Sequence, residues 1–369
     1  MTTRIRASTC EIRDAMKITD IQTEIKEHAI LTQLFVRVTQ EDGLSGTGEC
    51  WWGVSPGMGD DKPFLANKQV LPMISAVESI LKPLLIGEDA RQIEARFQQM
   101  VRYAYRYGIE GIMGCAISGI DLALWDLAGK RAQLPVVELL GGQAKESVRA
   151  YASLPPMKDP GMIQKETERV MAYGFQGIKL HEHNPDLAGL VRDVAGPDMA
   201  IMFDVNGHFD LPEASDVAQA LMTHNVFWFE EPTWPMRDHD ILGRLKDATG
   251  ITIAAGENEY SQESFYRLMQ SGAADYVMPE ITKIGGLSAG KKLTPLFELF
   301  NLPLSPHSFR IGPALYANIH WALSTDHSDW LEIPWLPEGF LFPGGVSIPE
   351  LKDGQVTLPE GVGLGLSIT

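Results

Sequence analysis

From residue 153 to residue 332 the chain sets a residue fit for catalysis or metal binding at the end of one short apolar run after another. VRAYAS ends at Ser153, GIKLH carries Lys179 and His181, IMFDVN carries Asp204 and Asn206, and FWFEEP carries Glu230 and Glu231. IAAGENE then carries Glu257 and Glu259, YVMPE ends at Glu280, LPLSPH ends at His307, and WLEIP carries Glu332. The steps from Lys179 through Asp204, Glu230, Glu257, Glu280 and His307 to Glu332 are 25, 26, 27, 23, 27 and 25 residues. One strand, one helix and two short loops fill that length, so the period predicts a repeated β/α unit, and eight such units close a barrel. A barrel gathers the C-terminal ends of its strands on one face. The recurring polar residues therefore predict a single shared active site.

The first third follows another pattern. Residues 21–53 alternate apolar and polar positions and turn at EDG, which predicts antiparallel strands. Residues 65–135 carry three stretches of helical periodicity, the last of them rich in Ala, Gly and Leu. The fold class expected is α/β: a modified TIM barrel over residues 139–349 with an α+β capping domain over residues 1–138, to which a tail at 350–369 returns. A formal net charge of −17 argues against nucleic acid and anionic membrane as partners, since both would repel it. Cys10, Cys50 and Cys115 have no metal or redox spacing, which predicts reduced thiols and a cytoplasmic location. Neither a signal peptide nor a membrane-spanning helix is expected.

Asp204, Glu230 and Glu257 fall at the ends of three consecutive inferred strands. Adjacent parallel strands lie only about 4.8 Å apart, so the three carboxylates would crowd and repel unless a cation sat among them. Oxygen donors without Cys or His favour a hard divalent ion, Mg²⁺ before Mn²⁺, one per subunit. The alternative is three independent carboxylates facing solvent or capping helices. Lys179 and His181, two apart on one strand, point to the same side of it, and His181 is a plausible base near neutral pH. Glu280 and His307 lie on neighbouring strands, where a carboxylate can fix the histidine tautomer. His183 and His208 are out of phase and read as surface or loop residues. The Gly-rich segment 49–61 and residues 15–24 are candidates for loops over the barrel mouth, with Trp51 and Trp52 available to stack on a substrate.

With these motifs, AISGIDLALWDLAGK at 116–130 and MPEITKIGG at 278–286, the chain resembles the enolase superfamily, in its mandelate racemase and muconate lactonizing enzyme branch. The resemblance implies three metal ligands at Asp204, Glu230 and Glu257, and Lys179 and His181 at the two positions of a Lys-x-Lys pair. It puts Glu280 and His307 at the Asp–His dyad of the racemase-like subgroup, Glu332 at an acid that hydrogen-bonds the intermediate, and Ser153 near the substrate carboxylate. His181 departs from the lysine usual at its position, and Glu280 from the aspartate; the longer side chain puts the Glu280–His307 hydrogen bond in question. Asn206 and Trp51 complete the expected substrate contacts. Lys283, three residues after Glu280, is expected to support the site rather than react. The implied chemistry is abstraction of the proton α to a carboxylate, followed by dehydration of a sugar acid. Racemisation, epimerisation or cycloisomerisation of a hydroxy acid is the runner-up, and a non-catalytic metal-binding homologue is the reading from another class. A small carboxylate substrate and a homo-oligomeric assembly are also expected.

Overall fold

The computed structural model describes residues 16–27, 32–51, 70–338 and 346–366. Strands β1 (Ile18–Glu27), β2 (Thr32–Gln40) and β3 (Ser45–Cys50) form an antiparallel sheet in that order. Of residues 15–24, offered as a loop over the barrel mouth, those from Ile18 on belong to β1, which starts three residues before the strand region expected from 21, with Ile18 and Ile21 in the core. β3 lies against the helix Ile112–Ala132 so closely that a Cβ on Gly48 would come 2.1 Å from the Gly119 carbonyl oxygen. That 21-residue helix is long and apolar enough to cross a membrane by composition, but 94% of its apolar window is buried inside the protein. It is the core helix of the first lobe. The helical runs expected at 65–135 also contain Leu71–Ser75, Ala76–Leu81, Lys82–Leu85 and Ile93–Ala104, the second of these wound as a π-helix.

The barrel strands are β4 (Ser147–Ser153), β5 (Gly177–His181), β6 (Ala200–Asp204), β7 (Trp228–Glu230), β8 (Ile253–Ala255), β9 (Tyr276–Val277) and β10 (Trp330–Pro334), parallel in sequence order, with β10 pairing back onto β4. The eighth stave is not a regular strand. Leu304 bridges Val277 on one side and Ser328 on the other, and His307 bridges Glu280, which closes the ring. Helices cover the outside, and Pro160–Tyr173, Leu211–Thr223 and His239–Thr249 each begin at an aspartate whose side chain accepts a first-turn N–H. The tail divides its contacts. β11 (Gln355–Thr357) pairs antiparallel with β4, and then Gly363 and Leu364 hydrogen-bond to Leu134, Val136 and Asp126 beside the core helix.

Inside the barrel, Tyr151, Met202, Trp228, Ala254, Met278 and Trp330 pack as a separate buried cluster. Side chains two residues apart on a strand share a face. The next inward residue on five of these staves is therefore Ser153, Asp204, Glu230, Glu280 or Glu332, and an apolar floor carries the polar layer above it. β5 shows how full that floor is. Its floor position is Gly177, where a Cβ would lie 2.7 Å from Tyr151 Cβ and 3.1 Å from the Trp330 ring. Lys179 stands two residues above.

Candidate active site

Asp204, Glu230 and Glu257 are buried, and each offers an oxygen within 4.8 Å of the other two. Their close company is also acidic, with Glu332 and Glu280 both buried. Against these five carboxylates stand Lys179, Lys283 and His307. The carboxylates outnumber these cations, and Asp204 Oδ2 is buried without a hydrogen bond among the described residues. An all-oxygen set with an unsatisfied atom fits a hard ion such as Mg²⁺. Burial first, opposed by Lys179 and reinforced by Asp204, Glu332 and Glu257, pushes the Glu230 carboxyl well above the ordinary range. That is the strain a metal would relieve.

Lys179 sits in the middle of the polar layer, fully buried. Its Nζ lies 2.9 Å from Glu230 Oε1, 2.8 Å from Glu332 Oε1 and 3.4 Å from Asp204 Oδ2. Burial opposes its charge, but Glu230 and Glu332 outweigh burial and hold the ammonium protonated well above its usual range. A group so held is a counter-ion rather than a base. Glu332 accepts from Lys179 and from the Ser308 N–H at 2.8 Å. Although burial disfavours its charge, Lys179 and His307 keep its carboxyl below the usual range. Glu332, at the position of an acid that hydrogen-bonds the intermediate, is here an acceptor from Lys179 and the Ser308 N–H.

The two histidines reach the cluster from different staves. His181 Nδ1 is 2.6 Å from the Leu154 carbonyl oxygen, which can only accept, so Nδ1 carries the proton. In the neutral ring the Nε2 lone pair is then free and aims at the metal cluster, 3.3 Å from Asp204 Oδ2. His307 is held at both nitrogens: Nδ1 is 2.6 Å from Glu280 Oε2 and Nε2 is 2.7 Å from Glu257 Oε2. The longer Glu280 side chain thus reaches His307, and its other oxygen is fixed by the Thr282 N–H at 2.9 Å and hydroxyl at 2.6 Å. Burial opposes charge on His307, but Glu257, Glu332 and Glu280 outweigh it and hold the ring protonated well above the usual histidine range. The two rings thus enter the site from different staves, each fixed through its Nδ1.

A cavity of about 280 Å³ opens between them, with Asn206, Trp51, Lys283 and Arg310 among its walls. Asn206, at φ +45°, donates its N–H to Asp204 Oδ1 at 2.9 Å. Ser153 is buried beside Glu332. Trp51 carries Lys283 Nζ 4.3 Å and the Arg310 guanidinium 4.6 Å from its ring centre. Residues 52–61, Trp52 among them, lie outside the described residues. Lys283 donates to the Glu257 carbonyl at 2.9 Å and to Asn258 Oδ1 at 3.2 Å. Sequence reasoning missed Arg310 and Phe309. They follow His307 on a loop, where no periodicity marks them; a cation shortly after a strand-end histidine was the one available sign. Glu259 turns away to Arg237 and His239. Burial, with Glu257 and Asp204, holds Glu231 neutral well above its usual range. His183 and His208 are exposed, as expected, but they stack at 3.6 Å and line a second cavity that shares His181, Asn206 and Met236 with the first.

Residues 162–369 match the enolase C-terminal domain-like family, and residues 7–141 match the mandelate racemase / muconate lactonizing enzyme N-terminal domain. The chain is 32% identical over 305 residues to an arabinonate dehydratase of Saccharolobus solfataricus, covering 79% of this chain and 80% of that one. It is 28% identical over 388 residues to a D-galactarolactone cycloisomerase of Agrobacterium fabrum, covering 96% and 97%. Among solved structures, a 3,6-anhydro-D-galactonate cycloisomerase from Zobellia galactanivorans superposes with a TM-score of 0.84 at 29% identity, over 95% of this chain and 97% of that one.

Proposed function

The chain belongs to the mandelate racemase / muconate lactonizing enzyme branch of the enolase superfamily, and on that premise we propose that it is a Mg²⁺-dependent sugar-acid dehydratase. The single observation that carries this reading is the meeting of two histidines at one cavity, His181 fixed through Nδ1 to the Leu154 carbonyl oxygen and His307 through Nδ1 to Glu280. Curated relatives with names such as arabinonate, D-xylonate and D-gluconate dehydratase support the choice of reaction. Asp204, Glu230 and Glu257 would hold the ion, with Mn²⁺ as an alternative. When bound, it would supply Lewis-acid stabilisation of the negative charge that gathers on the substrate carboxylate as the α-proton leaves.

His181 Nε2 takes that α-proton. The electron pair left behind forms the double bond to the β-carbon, and His307 Nε2–H gives its proton to the departing β-hydroxyl, which leaves as water. The enol product then becomes the 2-keto acid. Lys179 offsets the charge of Glu230 and Glu332, Glu280 keeps the His307 ring charged and oriented, and Ser153, Asn206 and Trp51 contact the substrate. Residues 1–138 serve as the cap over the barrel. A positioned general acid or base contributes about 10² to 10⁴ in rate. An isomerase is the second reading, favoured by histidines on separate staves and by the cycloisomerases among the relatives.

A panel of sugar acids and hydroxy acids with Mg²⁺, read with semicarbazide for keto product and by polarimetry for inversion, separates the two. His181→Asn should stop exchange of the substrate α-proton with solvent deuterium, whereas His307→Asn should slow water loss and leave exchange measurable. Inversion without keto product would replace the dehydratase by the isomerase, and full exchange in His181→Asn would remove the assigned base.

A further inference from the structure

The stacked histidines form part of a cavity of about 420 Å³ that begins at His181 and Asp204 and shares Pro156, Asn206 and Met236 with the first cavity. A substrate whose carboxylate lay at the metal cluster would have room to extend past His181 into this space. Its apolar walls include Met236 and Val205, and its polar walls Asn206, His183 and His208. Both rings meet Phe209 edge-on, at 6.1 and 5.0 Å, but none of their four ring nitrogens hydrogen-bonds to a described side chain or carbonyl, which leaves these polar atoms available to a ligand. Rings stacked at 3.6 Å and 14° from parallel cannot both be charged without strong repulsion. A neutral imidazole offers one donor and one acceptor, which is the pattern a hydroxyl matches.

The cavity wall carries one lysine against two carboxylates. Lys158 is the cation, and Glu182, whose Oε1 accepts the backbone N–H groups of Met157 at 2.7 Å and Lys158 at 2.9 Å, is the anion beside it. Asp204 adds a further carboxylate on the metal side. With Asp204 taken up by the ion, a second carboxylate at the far end of a substrate would meet Glu182 beside a single exposed lysine.

Building on the dehydratase reading, we infer that His183 and His208 form a hydroxyl-binding subsite for the substrate tail, which selects sugar acids with one carboxylate and a neutral polyhydroxyl end over sugar acids with a carboxylate at each end. The apolar walls pack against the C–H faces of the tail, and the ring nitrogens take its hydroxyls. A neutral hydrogen bond lost here corresponds to about a two- to twelvefold change in affinity.

The test compares kcat/KM for five- and six-carbon sugar acids of both kinds with Mg²⁺, in the wild type, in His208→Phe, which keeps a ring to stack, and in His208→Lys, which adds a cation. The wild type should favour the monocarboxylic acids by at least tenfold. His208→Phe should raise KM about fivefold more than it lowers kcat, and His208→Lys should shift the ratio toward dicarboxylic acids by at least tenfold. A wild type that prefers dicarboxylic acids, or a ratio unmoved in both folded variants, overturns the subsite alone. Absence of dehydration with every acid overturns the dehydratase reading, and the subsite with it.

Discussion

Replacing Glu280 by glutamine tests the proton-donor half of the site without emptying it. In the native side chain, Oε1 accepts two hydrogen bonds from Thr282 while Oε2 faces His307 Nδ1 at 2.6 Å. In Glu280→Gln the amide would keep its carbonyl oxygen toward Thr282, which places its NH₂ against Nδ1. Two donors would then meet, and the charged ring would lose its partner. A hydrogen bond to a charged group is worth about 1.5–3 kcal/mol, and 1.36 kcal/mol corresponds to one pKa unit, so the His307 pKa should fall by about one to two units. Glu257 and Glu332 still oppose the fall. In the proposed mechanism the protonated ring is the working form, so the alkaline limb of the kcat profile should move to lower pH by that amount, with about a ten- to hundredfold loss on the alkaline side. The assay is the pH profile of keto-acid formation in both enzymes. An alkaline limb unmoved within about 0.3 unit, small against a shift of one unit, would refute the claim that Glu280 sustains the charge on His307.

Further expectations concern the metal, the lobe contact and the barrel floor. Wild-type activity should vanish with EDTA and return with Mg²⁺, whereas Glu230→Gln should bind the ion at least tenfold more weakly by calorimetry while keeping its circular dichroism; equal binding would remove Glu230 from the ligand set. Glu49 is buried with its pKa pushed up to about 7, burial outweighing Gln33, Arg310 and the Ala314 N–H. The folded state therefore holds this proton more tightly than the unfolded chain, so stability falls as pH rises from about 4.5 to 7. Urea titrations should show that fall lessened in Glu49→Gln by up to about 3 kcal/mol, and an equal fall in both proteins would contradict it. Gly177→Ala, which places a methyl against Tyr151 and Trp330, should cost about 1–3 kcal/mol by overpacking, measured by urea denaturation; a neutral effect would mean that the floor has slack.

The legible part of this molecule was the part governed by a period. Strand ends recur in a barrel because each unit has the same length, and residues such as Asp204, Glu230 and Glu257 could be brought together from spacing alone. The His307 stave was found by the same phase, although its backbone is held only by isolated bridges. What spacing could not carry was electrostatic state and loop geometry. That Glu332 accepts from Lys179 and the Ser308 N–H is visible only in the folded site. Arg310, Lys283 and Trp51 meet through the packing of a capping strand on two barrel loops, a long-range contact that leaves no local pattern. His183 and His208 come from different loops, 25 residues apart in a chain of repeated units, yet off the strand phase that made their neighbours visible.

The strand β4 has three partners, β5, β10 and β11, and two of them are encoded near the end of the chain. A ribosome adding residues in order therefore leaves one side of β4 open while nearly 180 further residues appear. Until Trp330–Pro334 arrives, that side is an unpaired edge, the kind of surface on which nascent chains aggregate. Glu332 comes with the same strand, so Lys179 waits for one of its counter-ions until the ring shuts. Closure of the barrel and the completion of the contacts of Lys179 are one late event in synthesis, and a chain cut before Trp330 would lack both.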